Sequence, residues 1–328
     1  MLVRADPAEA VAVLGAMKAV ALHTAQRRIV PVDRMLLEAA GMVVFDPPVL
    51  GIDPEGLEPV PAEALASRVT DPEVRATAGT LLVLTALTGQ AEADRLREAV
   101  RYCHHLGIHE GYVHDLAELA RGHQAWVKND LLRRNLATFP GLTEEMRTRG
   151  GYPYTGTPED QALAARYRAL GELPAGSFGR AFFEHFVEHG FAFPGEVGGL
   201  TEAFAGPHDS IHVLSGYGTS TQGELLVSAF TAGMHADHAV EAHILPTMLE
   251  WQVGLDLSFA VLPEQGWFDP RKSLIAIERG RAMTFDVLAQ PWDVFAHAER
   301  DLEQLRAEFG IPPLDPLDAG IGIEPHGR

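Results

Sequence analysis

Cysteine is nearly absent from these 328 residues, Cys103 standing alone. That excludes an internal disulfide and a cysteine-based zinc site, and it fits a reducing cytoplasm. Basic residues are scarce too: 26 Lys and Arg face 45 Asp and Glu, a formal net charge of −19. Nucleic-acid binding, which needs a basic face against the phosphates, is excluded. Purely electrostatic attraction to anionic lipid is weakened. No apolar run approaches the roughly 20 residues that span a bilayer. Asp6 falls where a signal peptide would begin its apolar region. Strand-like alternation is almost missing. The expectation is a cytoplasmic protein, with at most peripheral contact at the inner membrane, long enough to bury one large core or two ordinary ones.

What the chain does have is helix punctuation. In Asp6-Pro7-Ala8-Glu9 the aspartate can cap, the proline suits the first helical position, and Glu9 completes a capping box. Val13, Met17, Val20 and Ala21 follow at helical spacing. The same start recurs at Asp71-Pro72-Glu73 and at Thr157-Pro158-Glu159-Asp160. The fold class is therefore read as all-α, a multi-helix bundle in two helical halves. Residues 1–138 form the N-terminal helical domain, 139–156 a linker centred on Arg149-Gly150-Gly151-Tyr152-Pro153, and 157–328 a second helical domain. The proline-rich stretch Phe45 to Pro61 reads as a long connection. His104, His105, His109, His114 and His123 are irregularly spaced and read as solvated or capping residues.

One stretch, Gly206 to Glu224, concentrates chemistry. His208 and His212, four apart, share a helical face with Asp209 close beside them. Gly216 and Gly218 break that helix, and the next run brings Glu224 in on its first turn. A pair of imidazoles at this spacing is a common way to offer two nitrogens to one divalent ion. Fifteen histidines make such pairs frequent by chance. The two carboxylates and the apolar Ile211, Val213 and Leu214 single this one out, because buried polar groups need partners. His235, Asp237, His238, Glu241 and His243 read as a polar helix face. Phe178, Phe182, Phe183 and Phe186 lie close to one face of a helix opening near Ser177; such a stripe is core by default, an apolar-ligand slot being the sharper alternative. His185 and His189 suit a helix C-terminus.

Two resemblances follow. Met17-Lys18-Ala19-Val20, Asp33 to Ala40, and Ala91 to Ile108 resemble the tellurite-resistance-type helical bundle, although His23-Thr24-Ala25-Gln26 stands where such domains carry an acidic turn. Leu173-Pro174-Ala175-Gly176-Ser177-Phe178-Gly179-Arg180, His189-Gly190-Phe191 and His208-Asp209-x-x-His212 are similar to the ubiquinone-biosynthesis C1-decarboxylase family. Eleven residues separate His212 from Glu224, the family's H-D-x-x-H-x11-E spacing. Glu278-Arg279-Gly280-Arg281 and Leu302 to Ile311 extend the resemblance over residues 160–312.

The resemblance implies that His208, Asp209, His212 and Glu224 hold one divalent ion, zinc by preference, with Asp209 or Glu224 as catalytic base. It implies a polyprenylated 4-hydroxybenzoate as substrate, decarboxylated at ring C1, with hydroxylation there in the oxidative version. Phe178, Phe182 and Phe186 would then take the isoprenoid tail, and Arg281 a head-group carboxylate or lipid phosphate. The implied partners are a prenylated aromatic lipid, other quinone-biosynthesis enzymes and further copies of the chain. Two alternatives stand beside it. One is a non-catalytic prenyl-lipid-binding scaffold; the other is an HD-type metal phosphohydrolase, with His185 and Asp237 completing the ligand set.

Overall fold

The computed structural model describes residues 3–149, 158–235, 237–257 and 262–320. Among them, sixteen α-helices supply almost all regular structure, as the helix punctuation predicts. The first half holds α1 (Pro7–Ala21), α2 (Pro31–Val43), α3 (Ala62–Arg68), α4 (Pro72–Leu87), α5 (Ala93–His105), α6 (Gly111–Ala120) and α7 (Gln124–Ala137). Next come α8 (Leu142–Arg149), α9 (Gln161–Ala169), α10 (Phe178–His189), α11 (Glu202–Ser215) and α12 (Thr221–Met234). An irregular run follows: the π-helical turn π1 (Ala239–Ile244), the short α13 (Leu245–Met248) and a second π-helical turn, π2 (Leu249–Val253). The chain finishes with α14 (Pro270–Ala282), α15 (Val294–His297) and α16 (Leu302–Glu308).

Two of the three expected starts carry the aspartate cap and the first-turn proline as read. Asp6 accepts a hydrogen bond from the Ala8 amide at 2.8 Å, and Asp71 from the Glu73 and Val74 amides. Glu9, however, does not close a capping box; its carboxylate accepts from the Thr70 amide instead, joining α1 to the α3–α4 turn. The third helix starts later, at Gln161, because the Asp160 side chain caps the Leu163 amide at 3.0 Å. Phe45 and Asp46 also depart from expectation: they pair in parallel with Val3 and Arg4 as a two-stranded ribbon. Of the expected linker, residues 150–156 lie outside the described residues. Its first part carries α8, whose opening turn holds Glu144 and Glu145, where the helix dipole favours acid.

Apolar side chains from both halves belong to one continuous core. Helix α14 packs on α12 and also on α2, while α7 packs on π1. The α12–α14 contact is close enough to demand glycine on each side. A Cβ at Gly233 would sit 2.0 Å from the Ile277 carbonyl oxygen, and one at Gly280 1.9 Å from that of Phe230. In the first half a buried ion pair fastens three helices. Arg95 on α5 donates to Asp33 on α2, and both meet the Thr88 hydroxyl at the end of α4. Gln252 of π2 donates to the Thr88 carbonyl at 2.6 Å, tying that cluster to the second half.

Candidate metal centre

Helices α11 and α12 carry the site, and their ends are built locally. Glu145 of α8 accepts from the Glu202 and Ala203 amides and so caps α11 from a neighbouring helix. Gly216, at φ 80°, ends α11, and Ser220 caps α12 by accepting from the Gly223 amide. The turn between them folds back so tightly that a Cβ at Gly223 would stand 2.1 Å from the Gly218 carbonyl oxygen. This places Glu224 in the first turn of α12, facing the α11 histidines.

His208, His212 and Glu224 each offer a ligand atom, and these atoms lie within 4.8 Å of one another. His212 Nε2 is 3.4 Å from Glu224 Oε1, and His208 Nε2 is 3.8 Å from Glu224 Oε2. Ligands held about 2.0–2.2 Å from a tetrahedral zinc ion stand roughly 3.4 Å apart, so these spacings suit one ion. His212 is prepared for that role. Its Nδ1 donates to the Tyr217 carbonyl at 3.0 Å, which leaves Nε2 as the nitrogen turned to Glu224, where an ion would displace its proton. Nε2 is buried and has no hydrogen-bond partner among the described residues. Nitrogen and oxygen donors without sulfur suit zinc, iron and manganese alike.

The charges agree with a seat for a cation. Burial alone would pull the His212 imidazolium down, but the adjacent Glu224 carboxylate outweighs it and lifts His212 to about 9. Burial pushes Glu224 up, yet His212, His208 and His185 hold it below the ordinary carboxylate value. His208 is lowered by burial and by the charge on His212.

Asp209 does not enter this group of three. Its Oδ1 lies 3.1 Å from His185 Nε2 on α10, and the His185 ring stacks on that of His212 at 5.3 Å. Of the two residues that would complete a phosphohydrolase ligand set, His185 lies against Asp209, whereas Asp237 is exposed and is not grouped with the triad.

The triad opens on a cavity of about 840 Å³, within the usual range for ligand sites. His208, Asp209 and Glu224 line it, together with Phe186, Phe204 and Trp251 among its apolar walls. Phe178 and Phe182 do not line it. They are fully buried, packing against Trp292 and Tyr167, so the first two members of the stripe are core and only Phe186 reaches the cavity. Arg281 is likewise elsewhere, half-exposed on α14 and paired with Glu73 of α4. The irregular run supplies a wall that the spacing of the sequence did not reveal, with His243, Pro246 and Thr247 facing the cavity; α7 adds Leu131 and Asn135. In the cluster read as a polar helix face, His238 pairs with Glu241 at 2.9 Å and His235 with Asp286 at 2.8 Å. No helix among the described residues is long and apolar enough to cross a membrane.

No family model matches the chain, and no curated protein matches it either. Among solved structures, the chain is similar to a Nostoc punctiforme protein provisionally named for ubiquinone biosynthesis. The two share 16% identity, with a TM-score of 0.31, over 74% of this chain and 100% of that one.

Proposed function

We propose that this chain binds one divalent ion through His208, His212 and Glu224 and acts in ubiquinone biosynthesis. Its substrate in this reading is an aromatic acid bearing an isoprenoid tail, from which it removes the ring carboxylate at C1. The observation that carries the reading is the position of the triad: three convergent ligand atoms on the wall of a largely apolar cavity of about 840 Å³. The H-D-x-x-H-x11-E spacing of the chain supports it as well.

A bound ion would supply Lewis acidity, holding a carboxylate or phenolate and stabilising charge that develops on the ring. The rest falls to the chain's own side chains. Decarboxylation breaks the ring–carboxylate bond and leaves the electron pair on the ring carbon, which then needs a proton. Asp209 lines the cavity with His185 Nε2 against its Oδ1, and we assign this pair to hold and pass that proton. Phe186, Phe204 and Trp251 take the apolar tail and exclude water. Phe191 and Leu262, which line the cavity and are 44% and 83% exposed, mark where a tail would enter from a membrane surface.

The test is to measure metal per chain by mass spectrometry and to incubate the loaded protein with 3-geranyl-4-hydroxybenzoate. Loss of the carboxylate, detected by the mass of the product, is the expected result. Metal and ligand binding without turnover would favour the prenyl-lipid scaffold, a role for which the apolar walls alone suffice. Absence of both would end the reading.

A further inference from the structure

The wall formed by π1 holds a histidine that the mechanism above does not use. His243 is 4% exposed and lines the cavity. Its Nε2 is buried and has no hydrogen-bond partner among the described residues. A buried polar atom without a partner costs free energy, so it stays where something else rewards it. The local backbone is unusual in the same place. His238, at φ 56°, opens a π-helical turn, a form that recurs at functional sites, and this turn sets His243 toward the cavity.

We infer that His243 recognises a hydroxyl on the aromatic ring of a ligand whose carboxylate meets the His208–His212–Glu224 triad. This assignment rests on the substrate reading given above. Burial lowers the imidazole to about 3, and the charges on His235 and His208 add to the effect, so it is neutral throughout the physiological range. A neutral imidazole offers a hydrogen bond but no charge. It therefore matches an uncharged group, and a hydroxyl can satisfy either tautomer because it both donates and accepts. The ligand's carboxylate belongs at the triad, which would seat a cation. The two groups then read the ring by different means: charge at the triad, hydrogen bonding at His243. His235, held by Asp286 at 2.8 Å, packs edge-on against the His243 ring at 5.7 Å and fixes its orientation from behind.

The experiment compares two probes on zinc-loaded protein by calorimetry: 3-geranyl-4-hydroxybenzoate and the same molecule lacking the ring hydroxyl. The wild-type chain should prefer the hydroxylated probe by about tenfold, the factor that one hydrogen bond to a buried neutral group supplies. His243→Phe should bring the two probes within about twofold of each other, and His243→Gln, which returns an amide near the Nε2 position, should restore part of the preference. Metal per chain should be the same in all three proteins. Equal wild-type affinity for the two probes overturns the assignment without touching the substrate reading, and needs no variant to fold. Full preference retained in His243→Phe also overturns it. Binding of neither probe by the wild-type chain overturns both.

Discussion

His185 Nε2 lies 3.1 Å from Asp209 Oδ1, so two residues adjacent in the chain, His208 and Asp209, serve different neighbours. His208 faces Glu224 on α12, whereas Asp209 faces α10. Consecutive helical residues point about 100° apart, and the helix uses that angle to address both sides. The consequence is a separation of roles that metal analysis can read. His212→Ala should lose the bound ion while helix content, followed by circular dichroism, stays close to wild type, because Ile211, Leu214 and Phe230 hold α11 and α12 in the core. Asp209→Asn should keep the ion and lose turnover. Loss of metal from Asp209→Asn would return the aspartate to the ligand set.

The Asp33–Arg95 pair should behave as a structural fastener rather than a functional group. Both side chains are almost wholly buried, and Asp33 also accepts from the Val30 amide at 3.0 Å, capping α2. Removing one partner strands the other charge in the core, which costs about 3–5 kcal/mol. Asp33→Ala is therefore expected to lower the urea midpoint by that amount of stability without changing metal content. A loss under about 1 kcal/mol would mean that the pair is solvated in solution.

The convergence of His208, His212 and Glu224 was legible because its geometry is local, whereas Asp209, read with them, turns to His185. Two histidines on adjacent turns, a glycine break and a glutamate on the next first turn are all set by spacing along the chain. The all-α class was legible for the same reason, from caps and prolines. What lay beyond reach depends on packing between distant segments. The stripe Phe178, Phe182 and Phe186 shares one helix face, but Tyr167 and Trp292 cover its first two rings and leave only the third at the cavity. Arg281 answers to Glu73, 208 residues away in sequence. His243 escaped because a π-helical turn breaks the 3.6-residue period on which such readings depend, making it look like one more polar residue on a solvated face.

Glycine at the α12–α14 crossing makes a sharp contrast available. Gly280→Ala would drive a methyl group into the Phe230 carbonyl, a backbone atom that cannot swing aside. Overpacking of this kind costs about 1–3 kcal/mol and shows in thermal unfolding. Gly206→Ala, inside α11, meets nothing closer than Val294 Cγ2 at 3.7 Å. There no packing clash opposes the methyl group, and the disfavour that Pro207 imposes on an α-helical residue before it offsets the gain in helix propensity, so the net change should stay within about 1 kcal/mol of zero. If both changes destabilise equally, the close crossing is not what fixes glycine at 280.

The buried carboxylates around Arg134 give a pH dependence whose direction is fixed. Arg134 of α7 reaches Asp115 of α6 at 3.3 Å, Asp130 at 2.7 Å and Glu241 of π1 at 3.7 Å, so one guanidinium serves three acids. Burial raises Asp115 to about 7; Arg134 opposes that rise, and Asp130 and Glu241 add to it. Unfolded, Asp115 gives up its proton near pH 4; folded, it keeps it to about 7. Between those values the folded chain binds more protons than the unfolded one, so this group's contribution to stability falls as pH rises and levels off above 7. Asp130, held low by Arg133 and Arg134 despite its burial, acts only below that window. Asp115→Asn, which keeps shape and removes the charge, should therefore flatten the slope of unfolding free energy between pH 4.5 and 7 and become increasingly stabilising toward the upper end. Urea unfolding of both proteins across that range decides it: parallel curves would show that Asp115 is ionised in the folded chain at all these pH values.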